Sequence, residues 1–127
     1  MSGKSSIKKR KDYEQPAAVV KWGWRYHHTG IPTDNPRPGE QYLKHLKMYV
    51  SGFETSPYGI ECMRFEKDCP ISELIRTVPH IAFEVDDLDV ALKDKEVISE
   101  ISSPSEGVRV AMIIDNNAPV ELIEFRK

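Results

Sequence analysis

Two pairs of matching stretches constrain this chain more than any other feature. "HTGIPTD" from His28 and "HIAFEVD" from His80 share a leading histidine and a trailing aspartate. "IECMRFEK" from Ile60 matches "VELIEFRK" from Val120, aligning Glu61 with Glu121 and Phe65 with Phe125. The His-to-Glu spacing is longer in the second half, leaving room there for an extra loop or strand. An internal duplication fixes architecture more firmly than local propensity does. Each half opens on a histidine-bearing strand and closes on a glutamate-bearing one. Halves related by a pseudo-twofold axis would bring His28, His80, Glu61 and Glu121 to one centre.

Local patterns fill in the halves. "AAVVKWGWRYHHTGI" is β-branched and aromatic and ends in turn chemistry, which predicts a strand. In "TDNPRPGEQYLKHL", Asp34 and Asn35 are cap candidates, and Tyr42, Leu43 and Leu46 follow at helical spacing, predicting a short helix. "KMYVSGFETSPYGIECMRFE" reads as two strands around a Gly/Ser/Pro-rich connection, and "CPISELIRT" as a linker with one helical turn. "PHIAFEV" is a strand with His80, Ala82 and Glu84 on one face and Ile81, Phe83 and Val85 on the other. "DDLDVALKDK" is an Asp-capped helix with Leu88, Ala91 and Leu92 on its apolar side. "EVISEI", "GVRVAMIID" and "APVELIEF" are three further strands.

Length and charge bound the rest. A chain of 127 residues is in the range of one domain with a real core. A formal charge of −2 favours neither nucleic acid nor an anionic membrane as partner. No apolar run is long enough to span a bilayer. The start, with "KKRK" at Lys8 to Lys11, lacks the apolar stretch of a secretory signal and reads as a flexible basic tail over residues 1–16. Cys62 and Cys69 form neither a disulfide framework nor a CxxC pair, which predicts reduced thiols in the cytoplasm.

Two imidazoles with two carboxylates suit a borderline divalent ion such as Zn, Ni, Co, Mn or Fe(II). His27 has the opposite parity to His28 and is read as hydrogen-bonding at the strand start; His45 is read as a surface residue. Trp22, Trp24 and Tyr26 share the parity of His28 on a regular strand, so they either wall a cavity or pack against a neighbouring element or subunit. Glu84, on the His80 face, either supports a site or lines water. Arg64 and Arg109 either hold a substrate carboxylate or, as the favoured reading, lie at the surface.

"HHTGI", "PHIAFEVDDLDVAL" and the terminal "VELIEF" resemble the vicinal oxygen chelate superfamily, which includes glyoxalase I, methylmalonyl-CoA epimerase, extradiol dioxygenases and the bleomycin- and fosfomycin-resistance proteins. The resemblance covers roughly residues 22–127. "HIAFEVDDL" is especially close to the epimerase-like branch, and "DNNAP" stands where a "DPxG" turn is common. The resemblance implies an α+β fold: two βαβββ-type modules, the first abbreviated, forming a curved mixed sheet around a ligand cavity. A single domain over residues 17–127 would hold module one at about 20–68 and module two at about 78–127. It further implies metal ligands at His28, His80 and Glu121. For the fourth position, family alignment points to Met63 and the internal repeat to Glu61; a thioether suits a borderline ion poorly, which favours Glu61.

The function so implied is a divalent-metal-dependent lyase, isomerase or epimerase acting on a small 2-oxo, 2-hydroxy or thioester metabolite through a metal-stabilised enediolate. Glu121 or Glu61 would be the catalytic base, and Trp24, Tyr26 and Glu84 would contact substrate. The alternatives are a metal-free small-molecule binding protein of the resistance type and, ranked last, an extradiol-type dioxygenase. Short chains of this family often pair, which predicts a homodimer through the segment Val19 to Tyr26.

Overall fold

The computed structural model describes residues 9–126. The first eight residues, including Lys8 of the basic run, lie outside the described part. Seven strands form one mixed sheet curled into a half-barrel. They are β1 (Arg25–Pro32), β2 (Gln41–Leu43), β3 (Met48–Ser51), β4 (Ile60–Phe65), β5 (His80–Glu84), β6 (Val108–Asp115) and β7 (Ala118–Phe125). Their spatial order is β2-β3-β4-β1-β5-β7-β6. Three short α-helices, α1 (Ala17–Val20), α2 (Glu73–Thr77) and α3 (Leu88–Ala91), and one 3-10 turn (Phe53–Thr55) accompany them among the described residues.

The order carries the duplication. β1 pairs in parallel with β4, as β5 does with β7, and β1 and β5 run antiparallel at the centre. The registers match as well: Gly30 faces Glu61 in one half, and Ala82 faces Glu121 in the other. Gly30 and Ala82 each lie two residues after their half's histidine. The strand register therefore makes Glu61, not Met63, the counterpart of Glu121.

Alternation divides the sheet into two faces. On the convex face, Phe83, Val85, Ala111, Ile113 and Leu122 pack against Leu88 and Ala91 of α3. Asp87 starts α3 as its N-cap, accepting the Val90 N–H at 3.1 Å. The concave face carries the glutamates and histidines of the repeat. The β6–β7 hairpin turns through Asn116 and Asn117, both left-handed at φ 50° and 62°. Asparagine tolerates that conformation, so "DNNAP" makes a tight two-residue turn.

Three sequence expectations are corrected. Residues 17–20 are a single helical turn, not a strand. It is preceded by Pro16 and followed by Gly23 at φ 73°, and it sets Ala18, Val19 and Trp24 against the convex core; that packing overrides the β propensity of the valines. Residues 34–46 hold no helix. Pro36, Pro38 and left-handed Gly39 break the pattern, and Gln41–Leu43 pairs instead as the outer strand against β3. Its apparent helical spacing resolves into Leu43 on the concave side and Tyr42 against Tyr49, with ring centroids 4.7 Å apart and planes tilted by 40°, on the other. "EVISEI" forms no strand: it makes one isolated bridge to β6, Val97 with Ile113, and Ser102 just after it makes a second, with Val110. Between them the Ser99 hydroxyl accepts the Met112 N–H at 2.8 Å, so a side chain takes a donor that a regular ladder would use.

Leu88 is fully buried, whereas Val90 on the same helix is 58 % exposed. Leu88→Ala is expected to cost about 2–5 kcal/mol in urea unfolding, and Val90→Ala less than about 0.5 kcal/mol.

Candidate metal centre

At the midpoint of the concave face the two central strands place each histidine beside a small residue. His28 is opposite Ala82, and His80 is opposite Gly30. Both imidazoles are buried. The absence of a side chain at Gly30 has a direct consequence, because a Cβ built there would lie 2.2 Å from the His80 ring. His80 occupies the space that any larger residue would fill.

The two rings cross at 81°, and their Nε2 atoms stand 3.4 Å apart. Glu121 Oε1 lies 2.9 Å from His80 Nε2 and 3.4 Å from His28 Nε2. Glu61 Oε1 reaches His28 Nε2 at 3.5 Å. Donors bonded at ~2.0–2.2 Å to one ion in tetrahedral or octahedral arrangement stand about 2.9–3.5 Å from each other. The four separations match that spacing. The tight set is His28, His80 and Glu121, all three donor atoms within 4.8 Å of one another, with Glu61 beside it.

The electrostatics favour a positive charge at this point. Burial pushes the Glu121 carboxyl up, but hydrogen bonds and attraction from His28 and His80 outweigh it and bring its pKa down to about 2. Burial opposes charging of His28, yet the Glu121 hydrogen bond and the two carboxylates raise its pKa. Glu61 shifts upward, mainly through burial and despite His28. The centre thus holds an ionised carboxylate between two imidazoles, a donor set that suits a borderline divalent cation.

His27 has a part that its parity did not indicate. A bulge between Tyr26 and His28 breaks the alternation of β1. His27 Nδ1 then lies 2.8 Å from His28 Nδ1, and its ring stacks on Phe53 with centroids 4.8 Å apart. A partner on Nδ1 fixes the orientation of the His28 ring and leaves Nε2 to the centre. The doublet "HH" was the available signal, but the bulge that gives it meaning is not written in the residue pattern.

The same bulge separates the aromatic residues from the site. Trp24 packs on Phe83 at 5.8 Å on the convex side. Tyr26 is exposed, with its hydroxyl donating to the Tyr58 carbonyl at 2.8 Å. Glu84 keeps the His80 face but sits at the strand end, 3.3 Å from Arg25. None of these three lines the cavity above the centre. That cavity, of about 700 Å³, has His80, Glu61 and Glu121 in its floor and His27 beside them. Met63, Met112, Val110 and Ile123 are among its apolar walls, and the segments 70–75 and 98–105 form its rim.

Gly30→Ala is expected to fold yet to weaken divalent-metal binding at least tenfold, because the added methyl must displace the His80 ring. Metal titration by calorimetry, beside a thermal melt, checks both halves of this expectation.

No protein-family model matches the chain, and no curated protein matches it. Solved structures do. A hypothetical protein, BH1468 from Bacillus halodurans C-125, is 17 % identical with a TM-score of 0.62, the match covering 82 % of this chain and 96 % of that one. Methylmalonyl-CoA epimerase from Mycobacterium tuberculosis is 15 % identical with a TM-score of 0.58, covering 93 % of this chain and 97 % of that one. With the paired modules and their register, these similarities identify the fold as that of the vicinal oxygen chelate type.

Proposed function

We propose that the protein is a divalent-metal-dependent lyase, isomerase or epimerase that moves a proton on a small oxygenated metabolite. The observation that carries this reading is the convergence of His28, His80 and Glu121, the last two of which lie in the floor of a mainly apolar cavity. A bound divalent ion would supply Lewis-acid stabilisation of negative charge developing on two vicinal substrate oxygens. The chain supplies the remainder. His28 and His80 would hold the ion through Nε2, with His27 keeping the His28 ring turned toward it. Glu121 balances the positive charge. Glu61, in the cavity floor and outside the tight set, is positioned to accept the substrate proton, while the apolar walls exclude water.

A second reading draws on the same trio. Two histidines and one carboxylate are also the ligand set of Fe(II) oxygenases. A preference for iron over zinc, nickel, cobalt and manganese would favour it. A metal-free binding protein is the third reading, and metal content decides against or for it.

Elemental analysis of protein purified without a metal-affinity tag is expected to give about one divalent ion per chain. His28→Ala and His80→Ala are each expected to reduce this to near zero. Stoichiometry near zero in the wild type after reconstitution with Zn, Ni, Co and Mn rejects the enzyme reading. Glu61→Gln is expected to keep its metal and to lose solvent deuterium exchange into a bound carbon acid. Exchange at the wild-type rate in that variant would move the base to Glu121.

The reading includes a cytoplasmic homodimer. Val20, Trp22 and Tyr26 are exposed near one end of the sheet, at 59 %, 52 % and 46 %, and apolar surface of this kind is commonly covered by a partner. Light scattering at micromolar concentration is expected to give twice the chain mass; the monomer mass rejects the dimer.

A further inference from the structure

The cavity walls are sharply one-sided in chemistry. Among the described residues that line it, none is lysine or arginine. Its charged residues are Glu61, Glu100 and Glu121, all acidic, and two of these belong to the floor. The arginines on neighbouring strand positions are turned away. Arg64 alternates with Met63 and Phe65, and on the convex side it grips Glu40 through two hydrogen bonds of 2.8 and 2.7 Å while lying over the Tyr49 ring. Arg109 alternates with Val108 and Val110 and bonds Glu124 at 2.8 Å. Both cations are therefore committed elsewhere. Beyond the centre, a ligand meets methionine, valine, isoleucine, leucine and phenylalanine side chains, with serine hydroxyls only at the rim.

A buried anionic group with no cationic or hydrogen-bonding partner carries a desolvation cost that these walls cannot offset. An apolar group gains there from each methylene removed from water. At about 700 Å³ the cavity also has the size that encloses a drug-sized molecule rather than a two- or three-carbon acid.

We infer that the ligand of this cavity has a chelating head of two vicinal oxygens and a large, apolar, uncharged body, which excludes dicarboxylates and phosphorylated metabolites whose charge would sit against the walls. The head rests on the metal reading above; the body rests on the wall residues alone.

Two experiments on the full chain separate these parts. The first uses chelator-stripped protein and two dyes sharing one ring system, neutral N-phenyl-1-naphthylamine and its sulfonated counterpart, 8-anilinonaphthalene-1-sulfonate. Fluorescence titration is expected to show single-site binding of the neutral dye, at least tenfold tighter than the sulfonate. Val110→Arg, on the cavity wall, is expected to reverse that preference while keeping a cooperative thermal melt. Equal or tighter binding of the sulfonate by the wild type overturns the apolar body, with or without metal in the protein.

The second uses zinc-loaded protein and three hydroxamates, whose heads offer two vicinal oxygens. Octanohydroxamate is expected to bind at least a hundredfold tighter than acetohydroxamate, following about fourfold per buried methylene, and to displace the neutral dye. The monohydroxamate of suberic acid, equal in chain length but ending in a carboxylate, is expected to bind at least tenfold more weakly than octanohydroxamate. Tail length without effect, or a tolerated carboxylate, overturns the apolar body while zinc-dependent binding of the head leaves the metal reading standing. Dye preference as expected, with hydroxamate binding indifferent to zinc, overturns the chelating head and leaves the body.

Discussion

The antiparallel pairing of β1 with β5 is the contact on which the rest of the structure depends. It joins the two halves, and its register sets His28 across from Ala82 and His80 across from Gly30. A one-residue slip of either strand would turn its imidazole to the convex face, into the core packing and away from the other imidazole. The register is held because the two faces differ so much in chemistry: large apolar residues against α3 on one side, polar side chains over the smallest residues on the other. The centre is thus a consequence of core packing. The same alternation that buries Leu122 aims Glu121 at the imidazoles.

What was legible in the sequence follows from this. Residues whose place depends on alternation within a regular strand could be read directly: the phase of His80, Ala82 and Glu84, the matched glutamates, and the strands β3 to β7. The pairing of Glu61 with Glu121 came from the repeat alone, and the strand register agrees with it. Residues whose place depends on a break in regularity were not legible. The bulge before His28 put His27 beside the centre and left Trp24 and Tyr26 elsewhere, although counting by twos grouped both aromatics with His28. Propensity misled in a similar way at both ends of the first module. Valines entered a helical turn because the convex core needed covering, and Tyr42 and Leu43, at helical spacing with Leu46, joined an outer strand while Leu46 fell in the turn after it, the prolines and left-handed glycine before them having broken the helical pattern.

The halves are alike in topology but not in finish. In the first, no helix follows the opening strand, and a proline-rich loop leads straight to the outer hairpin. In the second, α3 is present, but the outermost segment keeps only two bridges. Both irregular places lie next to the cavity or its supporting walls. The loop over 70–72 with the start of α2, and the segment over 98–105, form the rim, and neither that loop nor the second segment is bound by a full ladder of backbone hydrogen bonds. Segments of that kind open at lower free energy than the sheet does. A ligand of the proposed kind would therefore enter and leave through the rim, while the strands hold the donors in place.

The two glutamates, equivalent by register, differ in surroundings, and the difference comes from the histidines rather than from the glutamates. Glu121 lies against both imidazoles, at 2.9 and 3.4 Å, whereas the closest ring nitrogen to Glu61 is that of His28 at 3.5 Å. His28 is held from behind by His27, whose ring is in turn stacked on Phe53. His80 has no such neighbour on Nδ1 and instead sinks over Gly30. A duplicated pair of modules has thus placed its two imidazoles by different means, one by a hydrogen bond and one by steric room. Each imidazole consequently sits differently toward the two carboxylates. One carboxylate is bound into the centre and the other is left at its edge. That asymmetry is what a centre needs if one acidic group is to hold charge and another is to move a proton.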